Sequence, residues 1–148
     1  MNFAPGIRNV RRTWFILAGL SSAVVLACGQ VTAIWIIPGS NAQHLAFGLA
    51  THRGGHKAYQ TVVFQVDSCA NRGGGPEGSL WRLELQNFEP PYPTRIQYGV
   101  VPAKFKEVVP AVALGPGCYR ASAANARVAF DVAQDGTVTE RDSVPAVN

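Results

Sequence analysis

Apolar and polar residues alternate along most of the chain beyond residue 40. The clearest runs cover residues 45–49, 62–66, 81–85, 96–100 and 128–132. Such alternation is typical of antiparallel strands that turn one face to a core and the other to solvent. No window after residue 40 shows the helical repeat of 3.6 residues. We therefore expect an all-β domain over residues 44–141.

Stretches rich in glycine and proline separate these runs, at residues 52–56, 71–76 and 89–93. They predict turns, because neither residue type continues a strand well. Asp135 and Gly136 form a hairpin signal that joins residues 126–133 to 137–141, and we expect both to take positive φ angles. About seven to nine short strands predict a small antiparallel β-sandwich or a partly open barrel, with residues 142–148 as a frayed tail.

The first 27 residues have the pattern of an export signal. Arg8, Arg11 and Arg12 precede a charge-free apolar run that extends from Trp14 to Ala27. A basic segment followed by such a run is typical of a secretory signal peptide. These arginines also account for most of the formal charge of +4. The rest of the chain is nearly neutral, so the charge gives no basis for nucleic-acid binding.

The residues at the end of this run refine the prediction. The segment VLACG at residues 25–29 resembles the lipobox of bacterial lipoproteins, in which the chain is cut before an acylated cysteine. The resemblance implies a lipoprotein signal peptide over residues 1–27, acyl chains on Cys28, and a tether and first strand over residues 28–43. It also implies an exported domain at the cell envelope, facing the periplasm or the exterior. Acyl chains hold a domain on a membrane because each buried CH₂ contributes about 0.8 kcal/mol.

Two other fates of the N-terminus remain open. The 25 residues from Thr13 to Ile37 carry no charge, and a helix of that length crosses about 30 Å of hydrocarbon as an uncleaved membrane anchor. The strand-forming residues 33–37 argue against this helix. Ordinary secretion without an anchor is the other alternative. All three place the rest of the chain outside the cytoplasm, and the two anchored forms have the membrane as a partner.

With Cys28 acylated, Cys69 and Cys118 remain as an even pair. In an exported domain such a pair predicts one disulfide, and two unpaired buried thiols are the alternative. The chain contains no Cys-x-x-Cys motif. Neither a zinc ribbon nor a thioredoxin-type redox site is therefore indicated.

Residues 114–121 resemble a turn found in exported modules. Pro116, Gly117 and Tyr119 match the Pro-Gly-x-Tyr turn that opens a late strand in many immunoglobulin-like and transthyretin-like domains. Together with residues 128–138, this segment is similar to the C-terminal part of small bacterial lipoproteins. The resemblance implies that Tyr119 packs inward at a sheet corner, with its hydroxyl bonded to backbone. It implies a fold and a location, and not a chemistry.

Groups that could carry chemistry are few. His52 and His56 are separated by a Gly-Gly pair, which favours a solvated basic loop over a helix that would bring the two rings together. With His44 they are the candidate metal ligands, on the condition that the first strands pair as a hairpin. The chain has neither a Gly-x-Ser-x-Gly elbow nor a phosphate-binding loop. We therefore expect no catalytic residues and no cofactor.

Four aromatic residues flank the proline-rich segment 89–93, namely Trp81, Phe88, Tyr92 and Tyr98. Rigid aromatic side chains at the end of a sandwich are suited to binding a ligand or a partner. The alternative interpretation puts Trp81 and Tyr98 in the core and makes Tyr92 a lid.

Three functional hypotheses follow. The first is a membrane-tethered lipoprotein whose exported sandwich is a binding or structural module, with an envelope protein as partner. The second is a membrane-anchored enzyme, which clustering of the three histidines with an acid in one pocket would favour. The third is an accessory subunit of an envelope complex, for which a large exposed apolar patch would be the signature.

Overall fold

A computed structural model describes residues 33–71 and 76–141. Within these ranges the chain forms nine strands and no helix, which confirms the all-β prediction. The strands are β1 (Ala33–Ile36), β2 (Ala46–Ala50), β3 (Val63–Ser68), β4 (Ser79–Leu85), β5 (Arg95–Gln97), β6 (Phe105–Val109), β7 (Gly117–Ala123), β8 (Ala126–Val132) and β9 (Val138–Glu140). Accordingly, no helix suited to crossing a membrane occurs in the described ranges. The expected signal or anchor segment, Cys28 and the tail at 142–148 lie outside them.

The strands form two antiparallel sheets. The smaller sheet has the order β1-β2-β5, and the larger has the order β6-β4-β3-β7-β8-β9. The two sheets meet face to face through aromatic rings. The ring of Phe47 in the small sheet lies 5.3 Å from that of Phe64 and 5.8 Å from that of Phe130, both in the large sheet. The core therefore lies between the sheets, in a sandwich-like arrangement.

Strand β4 shows why these residues form strands. Its burial alternates without a break: Trp81, Leu83 and Leu85 are buried, while Arg82 and Glu84 between them are half-buried. Burying each large apolar side chain contributes about 1.5–3 kcal/mol. A shift of register by one residue would move the whole apolar set to the polar face.

Strand β2 departs from the alternation that its sequence predicts. All five of its residues are buried, although Ala46, Gly48 and Ala50 were expected on the solvent side. The Trp35 indole of the neighbouring strand lies across Gly48, where a Cβ atom would overlap the ring. A tryptophan on β1 thus covers the outer face of the small sheet.

Two further expectations are corrected. The run expected over 96–100 ends at Gln97, because Gly99 turns the chain at a φ of 75°, and the side chain of Val100 is 51% exposed. The charge-free stretch that reaches Ile37 does not continue as a helix to that residue. Its last residues form β1, which pairs with β2 from Ala33 opposite Ala50 to Ile36 opposite Phe47.

The sandwich has two ends that differ in their loops. At one end, named here the β1-start end, lie the first residue of β1, the loops 51–62 and 86–94, and the turn between β7 and β8. At the other, named the cleft end, lie the β1–β2 loop, residues 110–116 and the β8–β9 turn.

A disulfide joins β3 to β7 at the cleft end. Cys69 and Cys118 are bonded through their sulfur atoms, with their Cα atoms 5.4 Å apart. The Cys69 N–H also donates to the Cys118 carbonyl at 2.9 Å. The crosslink therefore extends the ladder of the central strand pair.

Candidate binding cleft

An open cleft of about 900 Å³ lies at the cleft end of the sandwich. Four short stretches line it, at residues 40–43, 98–99, 111–114 and 134–137. One wall is polar and consists of two turns, and the opposite wall is mostly apolar. Loops carried by a rigid sheet scaffold are the usual location of binding residues.

The first polar turn is the β1–β2 loop. The Ser40 hydroxyl donates to the Ile37 carbonyl at 2.7 Å and accepts from the Ala46 N–H at 3.2 Å, which closes the loop across its base. The Asn41 carboxamide oxygen accepts from the N–H groups of Gln43 and His44 at 3.0 and 2.9 Å. Such side-chain bonds to nearby backbone hold a turn in one conformation.

The second polar turn is the β8–β9 hairpin. Gly136 takes a φ of 81°. Asp135 was also expected at positive φ, and this expectation is wrong. The pattern is that of a three-residue hairpin loop with glycine at its left-handed position. The Thr137 N–H donates to Asp135 Oδ1 at 2.9 Å, and this bond lowers the pKa of the Asp135 carboxyl. The Ala42 N–H donates to the Gly136 carbonyl at 2.9 Å, so the two turns form one wall.

The opposite wall follows β6 and is attached to the core by Tyr98. The Val112 N–H donates to the Leu80 carbonyl at 3.2 Å, and the Tyr98 hydroxyl donates to the Val112 carbonyl at 2.8 Å. Burial raises the pKa of Tyr98 to about 12. The Val112 side chain remains 49% exposed and faces outward from this anchored backbone.

The lining groups suit binding by hydrogen bonds and apolar contact. Among the described residues that line the cleft, Asp135 is the one carboxylate, and there is no Lys, Arg or His. The backbone groups of Ala111 and Ala113 have no hydrogen-bond partner among the described residues. Unpaired backbone groups of this kind are the ones an extended peptide uses when it adds beside a sheet.

The three histidines expected as candidate metal ligands are not brought together. All three are exposed; His44 lies at the cleft end, and His52 and His56 lie at the β1-start end. The described residues contain no group of three or more His, Cys, Asp or Glu side chains arranged to hold a metal ion. The loop with His52 and His56 is closed by a bond from the Thr51 N–H to the Lys57 carbonyl at 3.2 Å.

The four aromatic residues of the candidate surface do not lie together, and Trp81 lies where the alternative interpretation put it. Trp81 is fully buried, contacts the rings of Phe64 and Tyr98, and donates from Nε1 to Glu107 at 2.8 Å, so it belongs to the core.

Phe88 and Tyr92 lie at the β1-start end, and of the four aromatic residues Tyr98 alone lines the cleft.

The cleft residues Asn41, Val112 and Gln134 were not identified as site residues from the sequence. Their signal in the sequence was limited to the neighbouring turn residues Gly39 and Gly136.

Tyr119 has the geometry that the turn resemblance implies for this residue. It is 9% exposed, and its hydroxyl donates to the Gly115 carbonyl at 2.7 Å.

Comparisons of the chain with protein-family models, with curated proteins and with solved structures returned no significant match.

Proposed function

We propose that the chain is a cell-envelope lipoprotein, tethered through Cys28, whose exported domain binds a protein partner in the cleft. The cleft itself is the observation that carries the binding role. It is open, is built from turns held by internal hydrogen bonds, and pairs an apolar wall with a polar one.

The cleft chemistry favours an extended polypeptide segment as the partner. Ala111 and Ala113 offer backbone groups for a strand-like segment, and Val112 and Leu114 offer apolar contact beside them. Asp135 favours a segment that carries a basic side chain. The partner would thus be a segment of an envelope protein with alternating apolar and basic residues.

The positions of the histidines favour this role over a histidine-based enzyme. Such an enzyme needs a base within hydrogen-bond reach of the group that it activates. His44 is separated from His52 and His56 by the length of the sandwich, and all three are exposed.

The accessory-subunit hypothesis is the second candidate, and exposed valines favour it. Val108 of the edge strand β6 is 40% exposed, and Val100 and Val101 in the preceding loop are 51% and 41% exposed. A larger complex would cover this edge. Crosslinking from residue 108 as well as from the cleft would indicate that role.

The tether is tested by the variant Cys28→Ala. We expect the variant to keep its full N-terminal segment and to carry no acyl chains, because the acylated residue is missing. Intact-mass measurement on protein from membranes reads both changes directly. Normal maturation of Cys28→Ala would overturn the lipoprotein proposal.

The cleft is tested with a photoreactive amino acid at position 112 in the membrane-bound protein. We expect one discrete adduct, which is lost when Asp135→Lys is added, because the charge reversal repels a basic segment. Position 62 is the matched control, since Val62 and Val112 are both 49% exposed and lie at opposite ends. The same adduct from both positions, or one insensitive to Asp135→Lys, would contradict binding in the cleft.

A further inference from the structure

The β1-start end presents two exposed apolar side chains. Phe88 is 55% exposed and Val62 is 49% exposed. The Leu85 N–H donates to the Val62 carbonyl at 2.9 Å, which places Val62 beside the strand end from which the Phe88 loop departs.

The loop that carries Phe88 is held in place at several points. The Tyr92 hydroxyl donates to the Phe88 carbonyl, and Lys104 Nζ donates to the Glu89 carbonyl at 2.6 Å. The Gln86 N–H donates to the Lys104 carbonyl at 2.7 Å. Phe88 is therefore an exposed aromatic side chain on a supported loop.

The two ends of the sandwich also differ in charge. Within residues 33–71 and 76–141, three ion pairs join Arg53 to Glu140, Arg82 to Glu84 and Arg141 to Asp131. Outside these pairs, the described basic residues of the β1-start end are Lys57, Arg95, Lys104, Lys106 and Arg127. Glu89 is the acidic residue among them, and Glu107 follows Lys106 on β6. At the cleft end, the charged residues outside these pairs are Glu77, Asp135, Arg120 and the buried Asp67.

The sequence places the proposed anchor near the same end. Cys28 precedes Ala33, the first residue of β1, by five positions. Five extended residues span at most about 18 Å. A chain held in the membrane at Cys28 therefore keeps Ala33 within that distance of the anchor, at the β1-start end.

We infer that the β1-start end is a membrane-facing surface that binds anionic phospholipid headgroups. Its basic residues meet the negative surface charge, and Phe88 and Val62 enter the interfacial region, where aromatic and apolar side chains are favoured. The inference rests on the proposed tether at Cys28. In this orientation the cleft, at the opposite end of the sandwich, faces away from the membrane.

Spin labels on introduced cysteines test this orientation in the full-length protein. The variants Val62→Cys and Phe88→Cys probe the surface, and Val112→Cys is the matched control at the cleft end. Acylation of Cys28 and the disulfide leave the introduced thiol as the one available for labelling. In vesicles with anionic phospholipid we expect labels at 62 and 88 to lose collisions with an aqueous nickel chelate and to keep those with oxygen. The label at 112 stays accessible to both reagents.

Two readouts separate failure of the orientation from failure of the tether. Vesicle flotation and intact mass report whether the chain is anchored and acylated, and a chain that is neither overturns both proposals. An anchored chain with labels at 62 and 88 as accessible as the label at 112 overturns the orientation alone. Equal protection in purely zwitterionic vesicles, or after Lys57→Glu with Arg127→Glu, overturns the role of anionic headgroups.

Discussion

At the scale of single residues, Gly48 has the most demanding surroundings in the small sheet. The Trp35 indole occupies the space that a side chain at position 48 would need. We expect Gly48→Ala to displace the indole and to lower the free energy of unfolding by about 1–3 kcal/mol, the usual cost of overpacking. Urea denaturation measures the loss, and a red shift of tryptophan emission reports the displacement.

Two variants control for the glycine itself. Gly115 has no atom within 4 Å of its would-be Cβ, so Gly115→Ala should leave stability nearly unchanged. In the Trp35→Ala background the cost of Gly48→Ala should vanish, because the overlapping ring is gone. A cost that persisted in that background would show that the ring is not its cause.

Tyr98 gives a prediction about alkaline pH. Burial raises its pKa from 10.0 to about 12 in the folded protein, so between these values the unfolded phenol ionises while the folded one stays protonated. The stability that Tyr98 contributes is complete below pH 10 and is lost as pH rises toward 12. We expect Tyr98→Phe to remove this part of the alkaline decline.

Phenolate absorbance and urea midpoints measured against pH check this prediction. At neutral pH, Tyr98→Phe should cost about 0.5–1.5 kcal/mol, the usual value of one lost hydrogen bond. A titration near pH 12 that persisted in Tyr98→Phe would assign the raised pKa to another tyrosine.

At the scale of elements, β1 is the edge strand of the small sheet, and a side chain bonds to its outer side. The Ile36 N–H donates to Glu140 Oε2 at 3.0 Å, and Arg53 pairs with the same carboxylate. Glu140→Ala should lower the free energy of unfolding by about 1.5–3 kcal/mol, because a hydrogen bond to a charged group is lost. Arg53 is 61% exposed in its side chain, so Arg53→Ala should cost only about 0–1 kcal/mol.

Amide hydrogen exchange at Ile36 separates these two effects. It should accelerate in Glu140→Ala and stay slow in Arg53→Ala. Glu140→Gln keeps an acceptor for the Ile36 N–H and should retain most of the protection. Equal losses from Arg53→Ala and Glu140→Ala would instead assign the stabilisation to the ion pair.

The elements that the sequence predicts well are those with one buried face. Strand β4 alternates as expected because one face meets the core and the other meets solvent. Strand β2 does not, because a tryptophan from another strand covers its second face. Strand β6 was not predicted, since Glu107, opposite Leu83 and bonded to Trp81, interrupts its apolar pattern.

At the scale of the whole molecule, the Cys69–Cys118 crosslink closes a long loop. The two cysteines are 49 positions apart, and a loop of that size loses about 4 kcal/mol of unfolded-state entropy in the chain-entropy model. We expect reduction to lower the free energy of unfolding by up to about that amount. Urea denaturation with and without reductant measures it. The variant Cys69→Ala with Cys118→Ala should be insensitive to reductant, and sensitivity there would mean that the reductant acts elsewhere.

The cleft was less predictable than the fold because its residues share no chemical signature. Gly136 indicates a hairpin. The sequence around Asn41 and Val112, however, has no pattern to show that the β1–β2 loop and the segment after β6 lie beside that hairpin. Their proximity depends on how the two sheets stack. Residues 52–56, by contrast, were expected to form a solvated loop because histidine beside paired glycines suits a turn.

The attachment of β1 has a mechanical consequence. The strand runs from the β1-start end toward the cleft end and is bonded along its length to β2. A pull between an anchor before Ala33 and a partner in the cleft acts along this strand. Its ladder bonds are then strained together in shear, and do not open one after another as in a hairpin pulled from its open end. If the chain has the proposed tether and a partner in the cleft, the domain would resist such a pull without unravelling from its N-terminal strand.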